Sequence, residues 1–137
     1  MKLALAAAAL VVGTASAAST PAAKLDPGIQ PFGAVASNGA LWVTLSGEGK
    51  LAQVDPASNR VLGRVKVGAS PFAVAAGAGS LWVANADAGT VSRVSPVKRK
   101  VVKTIRVGFR PYDVAFGGGA VWVANLSSGT VSRISPK

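Results

Sequence analysis

Two consecutive stretches decide the fold, namely PFAVAAGAGSLWVANADAGTVSRVSPV at residues 71–97 and PYDVAFGGGAVWVANLSSGTVSRISPK at residues 111–137. Aligned without a gap, they share 16 identical residues in 27 columns. Equivalent residues lie 40 apart, and the same spacing separates Trp42, Trp82 and Trp122. A fixed period of this length indicates a repeat architecture in which each unit folds as one supersecondary element.

The second unit, residues 71–110, carries the pattern of four short strands. In the second unit, turn residues separate the β-rich runs FAVAA (72–76), SLWVAN (80–85), TVSRVS (90–95) and VVKTIRV (101–107). Apolar and polar residues alternate along the last two runs, and a helical period is absent. Four antiparallel strands in about 40 residues are typical of a β-propeller blade.

The sequence therefore predicts an all-β chain of about three propeller blades. The units are residues 31–70, residues 71–110 and the incomplete unit 111–137. Closed propellers have about four to eight blades, so three blades leave two end faces uncovered. One explanation is a homodimer that closes a six-bladed ring with twofold symmetry. The other is a partial propeller that belongs to a longer chain.

The N-terminal segment, residues 18–30, bears on this choice. In the ring, this segment of one copy donates the fourth strand that the third unit of the other copy lacks. The segment suits this role because it aligns with the fourth-strand region that ends each of the first two units. Pro21 and Pro27 count against this pairing, since each removes a backbone donor from the ladder.

Residues 1–17 are typical of a secretory signal peptide. They combine a cationic start at Lys2, an apolar run and small residues at Ala15-Ser16-Ala17. The apolar run is shorter than the roughly 20 residues that span a bilayer, so no transmembrane anchor is expected. The sequence predicts a secreted protein, or one of the periplasm or cell envelope, that begins at Ala18.

The composition excludes several kinds of site. The chain of 137 residues has no Cys and no His, and its 15 Lys and Arg outnumber 5 Asp and Glu to give a net charge of +10. Disulfides, thiolate nucleophiles, Ser-His-Asp triads and His or Cys metal sites are therefore excluded. We recognise no catalytic constellation, predict no cofactor and no metal, and favour a protein that is not an enzyme.

The stretch SLWVANADAGTVSRVSPVKRKVVKTIRVGFRPYDVAFGGGAVWVAN resembles the YVTN-type β-propeller repeat family of secreted proteins. More loosely, it resembles propellers related to virginiamycin B lyase. The resemblance covers residues 31–137 and implies a propeller fold, but such propellers include both binding proteins and enzymes. The lyases rely on a catalytic His, which this chain lacks, so the resemblance does not imply their activity.

One face of the predicted blades collects variable loops. It holds the loops that join the fourth strand to the next first strand and the second strand to the third. We predict that an unknown small molecule or protein binds there, at the candidate residues Asn85, Asp87, Arg110, Tyr112, Asp113 and Asn125. Arg110, Tyr112 and Asp113 are the sharpest candidates, because they differ from the other two units.

Two of these interpretations have alternatives. Asn85 and Asn125 also fit strand ends whose side chains cap the following turn. A metal site made of Glu48, Asp87 and Asp113 is disfavoured, because hard cations take about six or more oxygen ligands.

A basic patch, Lys98, Arg99, Lys100 and Lys103, lies in and after the turn between the third and fourth strands of the second unit. We expect it on the side opposite the loops. Such a patch attracts polyanions, for example nucleic acid or an anionic cell-envelope polymer. The alternative is a solvated turn that supports solubility.

The sequence thus predicts a secreted β-propeller repeat protein that acts as a binding module with an unknown ligand. Two alternatives stay open. One is a divalent-metal-dependent, lyase-like propeller enzyme or its degenerate fragment. The other is binding of a polyanion or DNA through the basic patch. The resemblance supports this alternative by analogy, because some YVTN-like propellers are described as DNA binders.

Overall fold

Eleven strands form the described part of the chain. The computed structural model describes residues 22–137. The first unit holds β1 Pro31–Ser37, β2 Ala40–Leu45, β3 Lys50–Asp55 and β4 Arg60–Lys66. The second holds β5 Pro71–Gly77, β6 Ser80–Asn85, β7 Thr90–Ser95 and β8 Lys100–Arg106. The third holds β9 Pro111–Gly117, β10 Ala120–Asn125 and β11 Thr130–Ile134.

Each unit is an antiparallel sheet whose strands follow one another in chain order. The first two sheets have four strands each, and the third has three. The strands predicted for the second unit are confirmed to within one residue at each end. No helix long and apolar enough to cross a membrane occurs between residues 22 and 137.

The first hairpin of each sheet turns in two residues. These pairs, at residues 38–39, 78–79 and 118–119, all have positive φ at both positions. Such turns match the right-handed twist of paired strands and favour Asn or Gly. Ala78, with φ 52°, is the one residue among them that is neither Asn nor Gly.

The hydrophobic core lies between the sheets. At the first interface Trp42 packs with Leu81 and Val83 of the second sheet. At the second interface the equivalent Trp82 packs in the same way against the third sheet. Both indole side chains are fully buried. The sheets are therefore blades that use their neighbours as their core, as in repeat proteins generally.

Each indole N–H has a backbone partner, which fixes the orientation of the ring. The Nε1 atoms of Trp42, Trp82 and Trp122 donate to the carbonyl oxygen five residues earlier, at 3.2, 3.0 and 2.9 Å. A buried tryptophan needs such a partner because an unpaired polar group inside a core is costly.

The two end faces are open within residues 22–137. Trp122 is 40% exposed, and Val131 is 67% exposed although its equivalent Val91 is fully buried. At the other end Leu41 is 37% exposed, whereas its equivalent Leu81 is fully buried. The expectation of two uncovered faces is met in this part of the chain.

The N-terminal segment forms no strand between residues 22 and 30. Arg64 of the first sheet donates two hydrogen bonds to the carbonyl oxygen of Pro27, so the segment lies against that sheet. Donation of a strand to another copy is not tested within one chain and stays a prediction. The proposed signal peptide, residues 1–17, lies outside the described residues.

The contact of Gly77 with Phe116 gives a stability test. A Cβ built on Gly77 would overlap the ring of Phe116, while one built on Gly117 would meet nothing within 4 Å. Neither glycine has positive φ. We expect Gly77→Ala to lower the free energy of unfolding by about 1–3 kcal/mol, because the Phe116 ring must move away from the added methyl group and lose its packing on this strand. Urea denaturation measures it.

Gly117→Ala is the matched control, since it makes the same chemical change at the equivalent position. We expect it to change the free energy of unfolding by less than about 0.5 kcal/mol. Equal losses in both variants would show that the ring contact is not what requires glycine at position 77.

Candidate functional site

The loop face is held together by backbone hydrogen bonds between its two kinds of loop. The N–H of Ala86 donates to the carbonyl oxygen of Ser70 at 2.8 Å, and that of Leu126 donates to Arg110 at 2.9 Å. In each unit the turn between the second and third strands thus meets the loop that enters the first strand. Both loops lie at the same end of the sheet.

The loops entering the first strands share an unusual backbone conformation. Gln30, Ser70 and Arg110 have φ values of 54°, 55° and 51°, in the left-handed region that ordinary residues rarely adopt. Each of these residues precedes a proline that starts the next strand. The strained residue therefore reverses the chain into the first strand of each blade and places its side chain at the loop tip.

Three aromatic side chains line up where the first strands begin. This aromatic row consists of Phe32, Phe72 and Tyr112. The rings of Phe32 and Phe72 stack with centroids 4.7 Å apart, and Tyr112 meets Phe72 edge to face at 4.7 Å. The row forms because the first strands of successive blades pack against one another.

A cleft of about 390 Å³ opens beside the aromatic row. Its lining consists of the row together with Gly33, Ala34, Ala73, Val74 and Asp113. The N–H of Val114 donates to Oδ1 of Asp113 at 2.9 Å, which fixes the carboxylate at the edge of the cleft. The cleft thus combines an apolar, aromatic floor with one negative charge.

An ion pair stands beside the cleft. Nη1 of Arg110 lies 3.5 Å from Oδ1 of Asp87, and the guanidinium carbon lies 5.8 Å from the ring centroid of Tyr112. The hydroxyl of Ser70 donates to the other carboxylate oxygen of Asp87 at 2.5 Å. Both charged side chains are about half exposed, so the pair contributes little to stability. The structure brings four of the six candidate residues together here: Asp87, Arg110, Tyr112 and Asp113.

The other two candidates, Asn85 and Asn125, are buried away from the cleft. Asn85 accepts a hydrogen bond from the N–H of Gly68 at 3.1 Å and donates to the hydroxyls of Thr90 and Ser92 at 3.1 and 2.9 Å. Asn125 makes the equivalent three bonds in the third unit. The two amides therefore hold the loops of the scaffold together, in line with the capping interpretation.

We call Asn85 and Asn125 with their hydrogen-bond partners the amide clamp. The only sign of it in the sequence is that three positions differ together between the first unit and the other two. The first unit has Leu45 in place of the asparagine, and Lys50 and Ala52 in place of the two hydroxyl residues. There the N–H of Gly28 donates instead to Oδ1 of Asp26 at 3.1 Å. The polar set is thus present as a whole or replaced as a whole.

The amide clamp predicts a non-additive response to substitution. Asn85→Leu alone leaves a buried hydroxyl and an amide without partners, so we expect it to lower the free energy of unfolding by about 2–4 kcal/mol. The triple variant Asn85→Leu/Thr90→Lys/Ser92→Ala copies the first unit at these three positions and removes the unpaired hydroxyls, so we expect it to recover at least about 1 kcal/mol of that loss. Equilibrium denaturation measures both; a triple variant no more stable than Asn85→Leu would contradict the clamp.

The basic patch lies at the opposite end of the second sheet. Lys98 and Arg99 occupy the turn before β8, and Lys100 and Lys103 lie on β8, with all four side chains exposed. Nη1 of Arg99 reaches the side chain of Gln53 on the first blade at 3.2 Å. Neither of the two ion pairs found among residues 22–137 involves the patch. Its charge is therefore open to an external anion.

The carboxylates weighed as a metal site serve separate contacts. The N–H of Ile29 donates to Oε2 of Glu48 at 2.7 Å, while Asp87 is engaged by Arg110. Among the described residues no three side chains of His, Cys, Asp or Glu come together in a group that could hold a metal ion.

A carboxylate with a shifted pKa lies away from the loop face, in the turn after β3. The hydroxyl of Ser58 and the N–H of Ala57 donate to Asp55 and lower its pKa. A lowered folded-state pKa gives a stabilising contribution that is present above the ordinary pKa of the carboxyl and is lost as the pH falls through the folded value.

Solved structures share this arrangement of blades. The chain superposes with a TM-score of 0.64 on hydrazine synthase from Kuenenia stuttgartiensis, at 23% identity, over 84% of this chain and 37% of that one. A Bacteroides caccae protein of unknown function gives 0.66 at 17% identity, over 77% and 46%. Virginiamycin B lyase from Staphylococcus aureus gives 0.63 at 15% identity, over 78% and 42%.

The fold is that of a β-propeller. Similarity at these identities shows the fold alone, because propellers carry many unrelated functions. The chain spans less than half the length of each of these three structures. No protein-family model and no curated protein matches it, so membership of the YVTN-type family stays a prediction.

Proposed function

We propose that this β-propeller protein is exported and binds a small molecule on its loop face, in the cleft beside the aromatic row. The observation that carries the proposal is the row itself, three rings in contact at the mouth of an open cleft whose edge holds Asp113. Export rests on residues 1–17 and therefore on the sequence.

The composition of the cleft indicates the chemistry of its ligand. Exposed aromatic faces favour a flat, apolar ring, since stacked and edge-to-face contacts are both attractive. The carboxylate of Asp113 adds a negative charge, while the positive charge of Arg110 is already matched by Asp87. The expected ligand is therefore an aromatic compound with a cationic group, and mostly apolar pockets with a few polar groups are typical binding sites.

The differences between units support a site at this position. The first two units have Phe32 and Phe72 where the third has Tyr112, and Gly33 and Ala73 where the third has Asp113. The polar groups are thus additions to an apolar frame that the other units build without them. A structural frame alone does not require these additions.

The lyase-like alternative has less support. One of the similar structures is a virginiamycin B lyase, but the likeness extends to the fold and not to a catalytic histidine, which this chain lacks. Glu48, Asp87 and Asp113 do not form a cluster among residues 22–137. No observation in the described residues favours a metal-dependent reaction over binding.

Binding of tryptamine tests the site, because this probe joins an aromatic ring to an ammonium group. We expect Phe72→Ala and Asp113→Ala each to weaken the affinity measured by calorimetry about three- to tenfold, as contacts worth roughly 1 kcal/mol are lost. Asp113→Ala introduces the residue of the second unit, so the fold tolerates it. The neutral probe 3-methylindole should respond to Phe72→Ala and not to Asp113→Ala.

Phe109→Ala is the control for loss of an aromatic ring. Phe109 is 76% exposed and does not line the cleft, so we expect unchanged affinity. Equal losses in Phe109→Ala and Phe72→Ala, or no binding of tryptamine to the unaltered protein, would overturn the proposed site.

Binding of polyanions is a second proposal, supported by a different observation. The basic patch carries four exposed cations outside the ion pairs of the described residues, on a chain with a net charge of +10. Contacts with phosphates release counterions, so such binding weakens steeply as salt rises. The patch lies at the other end of the blades from the cleft, and the two proposals are independent.

Neutralising the patch tests this second proposal. We expect replacement of its four residues by Gln to weaken binding of a 20-base-pair DNA duplex and to reduce the slope of log affinity against log salt by about 2–4. Fluorescence anisotropy measures both. The control removes the same charge elsewhere, at Lys24, Lys66, Arg106 and Lys137. Equal effects of the two sets would show that net charge alone attracts DNA.

A further inference from the structure

The interfaces inside the chain show what covers a blade face that carries tryptophan. Trp42 and Trp82 are fully buried because the second strand of the next blade packs on each of them. The third blade presents the same face, with Trp122 40% exposed and Val131 67% exposed. We call this surface, with the shallow depression that Trp122 and Val131 line, the tryptophan face.

The first blade presents the surface that fits it. Leu41 and Val43 occupy the positions of Leu81 and Val83, which cover Trp42 at the first interface. Leu41 is 37% exposed, although Leu81 is fully buried. The two open ends of the described chain are therefore the two halves of an interface that the chain already makes twice.

The N-terminal segment is positioned as the end of a preceding blade. The N–H groups of Ser46 and Gly47 donate to the carbonyl oxygens of Gln30 and Ile29, as those of Ala86 and Asp87 do to Ser70 and Ala69 one period later. Residues 28–30 are thus the loop that follows a fourth strand. Arg64 holds the carbonyl oxygen of Pro27 through Nε and Nη2, at 3.0 and 2.5 Å.

The repeat fixes the register that a preceding strand would have. In the first two blades Leu51 lies opposite Val65, and Val91 lies opposite Ile105. Moved by one period, this pairing places Leu25 opposite Val131 of the third blade. Leu25 is apolar and 39% exposed, as a residue awaiting such a partner would be.

We propose that a second copy of this chain covers the tryptophan face, with Leu41 and Val43 of its first blade on Trp122. In the same contact its residues 23–26 add to β11 as a fourth strand, with Leu25 opposite Val131. The contact is reciprocal, so two copies close one ring with twofold symmetry. Strand addition of this kind satisfies the free backbone groups of a sheet edge.

One further observation fits a second copy as the occupant, and another sets the extent of the strand pairing. The chain covers 37–46% of the length of the three similar structures described above, so two copies cover most of the length of one of them. Pro27 takes the place of Val67, whose N–H donates to Gly49 at 2.9 Å. The ring therefore lacks one hydrogen bond per interface, at the strand end, where proline is tolerated.

A designed disulfide tests the register. The chain has no cysteine, and opposite residues of antiparallel strands have Cβ atoms about 4.5–5.5 Å apart, close to disulfide distance. We expect Leu25→Cys/Val131→Cys to oxidise to a covalent dimer on a non-reducing gel. The off-register control Leu25→Cys/Ser132→Cys directs one thiol to the other side of the sheet, and should give at least about tenfold less dimer.

The results of crosslinking and light scattering distinguish a second copy from the other possible occupants of the tryptophan face. A covalent dimer with a dimeric mass of the unaltered protein in light scattering supports the proposal. A monomeric mass without crosslinking, which fits a further blade of a longer chain as the occupant, overturns it. A ladder of higher oligomers also overturns it, because an open chain of copies is not a closed ring.

A second pair of variants guards against failure to fold. We expect Leu41→Lys to shift the mass from dimer to monomer while the far-ultraviolet spectrum keeps its strand signal. Val97→Lys makes the same change at a side chain that is 79% exposed in a turn of the second blade, and should leave the dimer intact. Dissociation in both variants, or in neither, contradicts the proposed contact.

Discussion

The contact between one blade's tryptophan and the next blade's aliphatic face is the constraint on which the structure depends. A sheet of four short strands has two faces and no core of its own. In the middle blade the whole of β6 is buried, and Leu81 and Trp82 point to opposite neighbours. That strand is apolar on both faces because both faces are covered. Stability is therefore a property of stacked pairs of blades and not of any single sheet.

Much of the fold follows from the sequence, because its signals are local. The 40-residue period gives the number of units, and the β-rich runs of the second unit give its strand positions to within one residue. Burial does not follow in the same way. Trp42, Trp82 and Trp122 occupy equivalent positions of the repeat and each precedes a valine, yet the third is 40% exposed and the other two are fully buried. The position of a unit in the stack decides its burial, and no window of sequence contains that information.

The candidate site was only partly predictable for a related reason. Tyr112 and Asp113 stand out in the sequence because they differ between units, and both lie at the cleft. Phe32 and Phe72 follow the repeat, so the sequence alone does not single them out. Their role is evident only where three blades bring the aromatic rings into contact. Asn85 misleads in the opposite direction. A polar residue next to a loop suggests a ligand contact, but the hydrogen-bond partners of Asn85 lie in neighbouring strands and loops of the protein itself.

All three tryptophans project from the same side of their blades, which gives the stack a direction. One terminus of the stack always offers an indole, and the other always offers leucine and valine. Gain or loss of a whole 40-residue unit by gene duplication or deletion would leave both terminal surfaces chemically unchanged. A stack of such blades can gain or lose units in evolution without a new kind of interface between blades. A change in the number of repeat units is then the simplest route to a ring of another circumference.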